Sequence, residues 1–565
     1  MNVKKICIVG GGSSGWFTAA LLSRWCPEID VTLIESPNVP TVGVGESTVG
    51  HINAFLNSLD MNTYGKEDWM KACNATYKAS IRFEDFHVKG ESFHYPFGLQ
   101  DASGTVFNQD DWLLKYWLFQ DKENPVEFSD FVDSFYPQMP LVYENKPYFF
   151  DYDMLSIQHR QALDPWDPQR DYAYQVDATM LAHWMRDNIC LPTGLTHIRD
   201  DVTEVLQGDD GWVTGLKTKE NGELTADLYV DCTGFKSLLL GEAMQTPYHS
   251  WSEDLPNNKA WAAHKPYTDD IENEMVMWTN CVGLENGWAW NIPLWNHVGV
   301  GYVFSDKFTD SDDALAEFQK HIGHGDDLDY KLLDIKNGRY DKPWVKNVVA
   351  IGLSNGFVEP LESSGLVTVH EALDTLIRVL KSRDGFITQY DRDSFSFVNN
   401  EMFDCWKYFV SGHFYMSRRD DSEYWRWWTQ EKEAGAHWWG IDTENSHHWP
   451  SGIVHARPIM RYVNSYDFGM ELAVSKFKGD SLYGIGNPQL CIAMGNHFNI
   501  YNDYTTNRMK FRLAGASAIR NFDKEYLLDQ LSKTFGYWKS RYEVVREIGE
   551  GLPNMYNYLK DNIHK

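Results

Sequence analysis

The chain has 565 residues, too many for one compact core, so one large domain with insertions or two intimate domains is expected. Lysine and arginine number 51 against 80 aspartates and glutamates, a net charge of −29, which argues against nucleic acid or an anionic membrane as partner. Aromatic residues make up 15%, including 23 tryptophans, which points to a large aromatic core or to a pocket for aromatic ligands.

Residues 6–9 (Ile-Cys-Ile-Val) read as a buried parallel strand. This apolar run is too short for a secretory signal, and no stretch approaches the 18 apolar residues of a membrane span. The eight cysteines are scattered, without C-x-x-C or zinc spacing, so a reduced, cytoplasmic protein without a metal is expected. Gly10-Gly11-Gly12-Ser13-Ser14-Gly15 follows the strand as G-x-G-x-x-G, and apolar residues at helical spacing occupy 16–25. Gly10 permits the tight turn, Gly12 admits a pyrophosphate, and Gly15 lets the helix approach the strand. The helix start offers N–H groups and a positive dipole end to phosphates. A second strand over 31–34 ends at Glu35, where an acid accepts ribose hydroxyls and disfavours a 2′-phosphate.

Residues 50–175 are rich in aromatics and aspartate and give no clear pattern; 177–188 reads as a helix. A small antiparallel meander is expected over 202–206, 213–218 and 224–230, closed by Asp231-Cys232-Thr233-Gly234. Residues 275–305 alternate like strands, 347–351 form a further short strand running into Gly352, and the pattern is helical beyond about 370. The glycine loop alone does not separate FAD from NAD. The meander, Asp231-x-x-Gly234 and the late strand favour FAD. The expected fold is α/β, an FAD-binding Rossmann-like fold of the PHBH-type monooxygenases with an added, mostly helical C-terminal region. Residues 1–370 would form the core, with substrate-side segments at about 80–175 and 245–340, and 371–565 would pack with it as one unit.

Trp288-Ala289-Trp290-Asn291-Ile292-Pro293 has the form W-x-W-x-I-P. Two tryptophans at i and i+2 share a side of an extended backbone, and the proline ends the segment. Such a pair is a piece of core or a rigid wall between two compartments.

Taken with Gly10–Gly15 and Trp16, this stretch resembles the flavin-dependent tryptophan halogenase family. Val42-Gly43-Val44-Gly45-Glu46-Ser47-Thr48 is similar to that family's second flavin loop. Ala75-Thr76-Tyr77-Lys78 is similar to the segment with its essential lysine, and Gly356-Phe357-Val358-Glu359-Pro360-Leu361-Glu362-Ser363-Ser364-Gly365 to the segment with its glutamate and halide site. The resemblance runs in order from residue 6 to about 425. It implies a two-component enzyme: a separate reductase supplies FADH2, which with O2 and halide gives hypohalous acid. That oxidant passes through a tunnel to Lys78 and halogenates an electron-rich arene, assisted by Glu362. Gly10, Gly11, Gly12, Ser14, Gly15, Glu35, Ser36, Val39, Ser47, Val202 and Leu353 fall where family members touch FAD. Ser364 and Gly365 fall at the halide site, and Trp288, Trp290 and Pro293 form the partition between flavin and substrate.

The residue chemistry agrees with these roles. A lysine is normally exposed; here apolar and aromatic neighbours point to a buried one, able to hydrogen-bond hypohalous acid as an ammonium or to form a haloamine as an amine. Glu362 is either a base and a stabiliser of a developing arenium cation, or an acid capping the helix expected near Leu366. Glu359 reads as structural. Ser364 and Gly365, expected just before that helix, form a nest that binds chloride, bromide or iodide. The family's usual residue at 364 is threonine, so the smaller serine predicts a preference for bromide or iodide. His94-Tyr95 inverts the family's aromatic–His order, which sets aside a stacking role for either. The tryptophans at 425, 427, 428, 438, 439 and 449, with His437, His447 and His448, are not aligned with the family's substrate region; the adjacent histidines read as a hydrogen-bonded pair rather than metal ligands. The substrate is therefore open among tryptophan, indole, a phenol or a carrier-bound arene. A homo-oligomer is expected from the family. The competing readings are an FAD hydroxylase that reduces its own flavin and a flavoprotein without turnover.

Overall fold

The computed structural model describes residues 1–39, 46–61, 68–86, 88–98, 136–415, 417, 419–428 and 524–565. The chain divides into two compact units. The first is 1–76, 174–267 and 286–411; the second is 77–173, 268–285 and 412–565. The boundary expected near 370 lies inside the continuous helix Ser364–Ser382, and the division falls at 411 instead.

The first unit is built on a six-stranded sheet in the order Trp344–Val345, Val348–Ala350, Leu228–Asp231, Lys5–Val9, Asp30–Glu35, Thr196–Arg199. All neighbours are parallel except the edge pair Trp344–Val345 and Val348–Ala350. Parallel pairing needs crossovers, and helix Ser13–Trp25 supplies the first, as the G-x-G-x-x-G reading requires. The strands at the middle are buried on both faces, which matches their unbroken apolar runs.

The meander differs from expectation at its third strand. Only Glu223–Leu224 pairs with Val213–Thr218; Leu228–Asp231 leaves to join the parallel sheet, Ile6 opposite Leu228. Asp227 causes the switch. Its carboxylate accepts the backbone N–H groups of Lys4 and Lys5 at 2.8 and 2.9 Å, pinning the chain to the start of the first strand. The meander packs back on the sheet through Val213 and Leu216, against Cys7, Tyr229 and Val348. A second, antiparallel set runs Lys331–Asp334, Lys259–Lys265, Val298–Phe304, Gly287–Pro293 and contains the W-x-W-x-I-P stretch.

In the second unit, Ser80–Glu84 pairs in parallel with Trp278–Gly283 and antiparallel with Ser92–Pro96. Asn145 joins three pieces of this unit. Its side-chain amide donates to the Met275 carbonyl at 2.8 Å and accepts from the Met277 N–H at 3.0 Å, while its own carbonyl accepts from Met555 N–H at 3.0 Å, at the start of helix Met555–Asn562. Asn145 is buried and its φ is 56°, a left-handed conformation that asparagine tolerates and alanine does not. Asn145→Ala strands two buried backbone groups and adds strain. We expect a loss of about 3 kcal/mol in urea unfolding; a loss below about 1 kcal/mol would show that these bonds do not hold the helix.

Candidate active site

The glycine loop has the geometry expected of it. Gly10 has φ +114°, and a Cβ there would lie 2.2 Å from the carbonyl oxygen of Cys232, at the end of the neighbouring strand. A Cβ on Gly15 would lie 1.9 Å from the carbonyl oxygen of Gly10, so the helix sits on the strand end only because both residues lack side chains. A Cβ on Gly12, the helix N-cap, would meet nothing within 4 Å among the described residues. That opening, above N–H groups that have no intrahelical acceptor, fits a pyrophosphate.

Glu35 stands beside the loop. Its Oε1 is 2.8 Å from His197 Nε2, and its Oε2 would lie 1.6 Å from a Cβ on Gly11. Gly11, a variable position of the motif, is thus required by the acid. Leu353 follows Gly352 (φ +71°), where a Cβ would meet Ser14 Oγ at 2.1 Å, so the late strand does return to the first loop. Ser36 donates to Asp201 at 2.5 Å, Ser47 is buried opposite Gln175, Val202 begins the meander, and Val39 is 72% exposed. Asp231 serves structure: its carboxylate accepts the N–H groups of Thr233, Leu239 and Leu240. Residues 42–45 of the second loop lie outside the described residues.

The two tryptophan rings lie on one side of Gly287–Pro293, with centroids 6.1 Å apart and planes at 55°. Both are buried, Trp288 at 0% and Trp290 at 6% exposure. Trp288 donates its indole N–H to Glu359 Oε2 at 2.8 Å, and Asn257 Nδ2 donates to the same oxygen at 2.8 Å. Burial pushes the Glu359 carboxyl up to about 7, against the bonds from Asn257 and Trp288 that hold it lower. Trp290 lies over Gly301, its register partner on the next strand; a Cβ there would be 2.1 Å from the ring. The carbonyl of Pro293 accepts from Thr76 Oγ1 at 2.6 Å, and Gln175 Nε2 donates to that hydroxyl at 3.1 Å. The motif is therefore tied to a residue two positions before Lys78.

Glu362 is buried and closes the short turn Pro360–Glu362. Ser363, with φ 58°, is the N-cap, and helix Ser364–Ser382 begins at Ser364. Ser364 and Gly365 thus occupy the first helical turn rather than preceding it, because the left-handed Ser363 turns the chain two residues earlier than the apolar pattern suggests. Ser364 Oγ donates to the Val358 carbonyl at 3.2 Å. A Cβ on Gly365 would be 3.4 Å from Glu46 Oε2, and burial raises that carboxyl to about 7.

In the second unit Lys78 has no exposed surface, and its ammonium lies 4.9 Å from the centroid of the Phe97 ring. Phe97 is fixed at both backbone groups, its N–H donating to Ala79 at 2.9 Å and its carbonyl accepting from Gln138 at 2.6 Å. Tyr77, the residue before Lys78, enters a cluster with Phe149, Tyr172 and Tyr558. His94 is held edge-on to Tyr143 and Trp278, with Nδ1 2.9 Å from Ser80 Oγ; burial and then Arg82 push its imidazole down to about 3. Tyr95 is buried and faces Phe97, 6.3 Å between centroids. Trp425 and Trp428 are fully buried, Trp425 donating its indole N–H to the Leu284 carbonyl at 2.8 Å. Trp438, Trp439, Trp449, His437, His447 and His448 lie outside the described residues. Among the described residues no His/Cys/Asp/Glu group has the arrangement of a metal site, and no helix is long and apolar enough to cross a membrane.

A family model for tryptophan halogenase matches residues 5–437. The chain belongs to the tryptophan halogenase family. Tryptophan 6-halogenase SttH of Streptomyces toxytricini is 35% identical over 438 residues, spanning 75% of this chain and 80% of the relative. Tryptophan 7-halogenase RebH of Lentzea aerocolonigenes is 32% identical over 450 residues, spanning 75% and 78%. Of solved structures, that of apo VirX1 superposes with a TM-score of 0.81 at 35% identity over all of both chains. The SttH crystal structure superposes with a TM-score of 0.75 at 28% identity over 99% of each. The fold is therefore the flavin-binding α/β fold read from the sequence, and the chain is a flavin-dependent halogenase, with FAD implied as cofactor and an aromatic substrate and separate flavin reductase as partners. A hydroxylase reading is not favoured.

The sequence of this halogenase does not announce His197, Gly301, Asn257 or the weight of Glu359. Only Gly301 had a signal, the alternating glycines of Val298-Gly299-Val300-Gly301. Its φ is unremarkable, so Gly301→Ala tests packing alone. We expect a loss of about 1–3 kcal/mol in chemical denaturation from pressing on the Trp290 ring. A change within about 0.5 kcal/mol would show that the ring gives way freely.

Proposed function

We propose that this halogenase transfers bromide- or iodide-derived electrophilic halogen to an electron-rich arene, with Lys78 and Glu362 as its catalytic residues. Gly10, Gly11, Gly12, Ser14, Gly15, Glu35 and Leu353 would hold FAD, assisted by Ser36, Val39, Ser47 and Val202. When bound in its reduced form, the cofactor supplies hypohalous acid from O2 and halide. Lys78 donates a hydrogen bond to the oxygen of that acid and draws electron density from the halogen. The arene attacks the halogen, the oxygen–halogen bond breaks, and the oxygen leaves as water after taking a proton. Glu362 stabilises the arenium cation and accepts the ring proton. Trp288, Trp290 and Pro293 form the partition that keeps these steps apart from flavin chemistry.

The observation that carries this reading is Lys78: an ammonium without exposed surface, set over an aromatic ring whose face complements a cation. SttH and RebH are tryptophan halogenases; indole, a phenol or a carrier-bound arene fits this chain's residue chemistry equally. The serine at 364, smaller than the family's threonine, supports the larger halides.

Two experiments test this. Purified protein with FAD, a flavin reductase, O2 and each halide in turn, offered an arene panel containing tryptophan, indole and phenol, should give halogenated product, with bromide or iodide outcompeting chloride at equal concentration. Lys78→Ala should lower product at least about 10³-fold while FAD binding stays within about twofold. Retained activity would remove Lys78 from its role, and chloride preference would remove the halide assignment. The second concerns pH. Glu46, its carboxyl raised to about 7, lies against Gly365. Neutral below that pH, it tolerates an anion at Gly365; ionised above it, it repels one. Halide KM should therefore rise as pH goes from 6 to about 8, and Glu46→Gln should flatten the rise. An unchanged slope in that variant would show that Glu46 does not face the halide.

A further inference from the structure

One carboxyl in the first unit has no task in the reaction outlined above. Glu359 has 0% exposure, two places after the strand Gly356–Phe357 has ended and just ahead of the turn carrying Glu362. Its Oε2 takes both donors, Trp288 Nε1 and Asn257 Nδ2. Its backbone N–H donates to Asn337 Oδ1 at 2.8 Å, and Asn337 Nδ2 donates to the Asn257 carbonyl at 2.8 Å. Glu359, Asn337 and Asn257 thus close a ring of three hydrogen bonds, and Trp288 hangs from it by its indole nitrogen. Oε1 has no hydrogen-bond partner among the described residues.

A buried carboxyl is costly to keep, and a tryptophan N–H is satisfied as well by a backbone carbonyl. The placement has a different physical value. Nε1 lies far from the Cα of its residue, so a bond there fixes χ1 and χ2 together, whether the acceptor is a carboxyl or an amide oxygen. The second ring of the pair lacks such an anchor: Trp290 Nε1 has no partner among the described residues, and steric contact over Gly301 is what confines it.

We propose that Glu359 is a positioning residue: it locks the orientation of Trp288 and thereby keeps oxidant formation coupled to halogen transfer. This rests on the reading of the tryptophan pair as a partition, and goes beyond it by naming what holds the partition in register. Because both donors use Oε2, glutamine can keep them. Its carbonyl oxygen takes the Oε2 place and its NH2 the partnerless one. Leucine fills similar space and accepts nothing.

The test uses the full chain in single turnover. Enzyme in excess over reduced FAD is mixed with O2, bromide and indole. Two products are measured, halogenated indole per FADH2 supplied and free hypobromous acid trapped by monochlorodimedone. Glu359→Leu should lower halogenated indole about tenfold and raise trapped oxidant to match, the scale of leaving one buried donor without its hydrogen bond. KM for indole and FAD affinity should stay within about twofold, and Glu359→Gln should couple like the parent. If the leucine variant does not fold, Glu359→Met, unbranched and without an oxygen, replaces it. Coupling at the parent level in the leucine or methionine variant overturns the proposal, as does a glutamine variant as uncoupled as leucine. Trp288→Phe separates the two readings. If it uncouples while Glu359→Leu does not, the clamp fails and the partition stands. If Trp288→Phe stays coupled, the partition reading fails and the clamp with it.

Discussion

Parallel pairing of strands far apart in sequence is the constraint on which the first unit depends. Lys5–Val9, Leu228–Asp231 and Val348–Ala350 run side by side, so their C-terminal ends open on one edge. Each end is followed by a turn: Gly10, Cys232–Gly234 and Gly352. A parallel sheet delivers such turns to a common crevice, where α/β folds bind nucleotides. The close approaches of Gly10 to Cys232 and of Gly352 to Ser14 are the result, and each would be blocked by one methyl group.

The features legible in the sequence are those written in backbone chemistry. Glycines at 10, 12 and 15 and an acid at 35 state a local geometry, and the structure reproduces it. The short strand at 348–350 was equally readable, since a fully buried strand has no polar face to obscure it. Leu224–Val230 was misread as one strand because its apolar residues alternate through Asp227. What divides it is a pair of hydrogen bonds to Lys4 and Lys5, more than 220 positions away. Ser363 likewise starts a helix early through a backbone angle that no residue pattern announces.

Glu359 is the clearest case of a side chain whose meaning lies elsewhere in the chain. By position it is a neighbour of Glu362 in a loop of glycine, serine and proline. Its partners are Asn257, 102 residues before it, and Trp288, 71 before it. The two acids, three apart, have separate surroundings: one is drawn into a polar ring with an indole, the other ends the turn ahead of helix Ser364–Ser382. His197 is similar, visible only through its contact with Glu35 across paired strands.

The glycine opposite Trp290 has a bearing on redesign. The proposed partition, one large ring lying on a bare backbone, has its thickness set by two positions at once. Trimming the indole leaves a void with nothing on the facing strand to fill it, and a cavity of that size costs several kcal/mol if it stays empty. Enlarging position 301 without trimming the ring has no space to use. The productive route to a thinner or differently shaped wall is therefore a paired exchange, bulk removed at 290 and restored at 301, which keeps total volume while moving the surface by an atom or two.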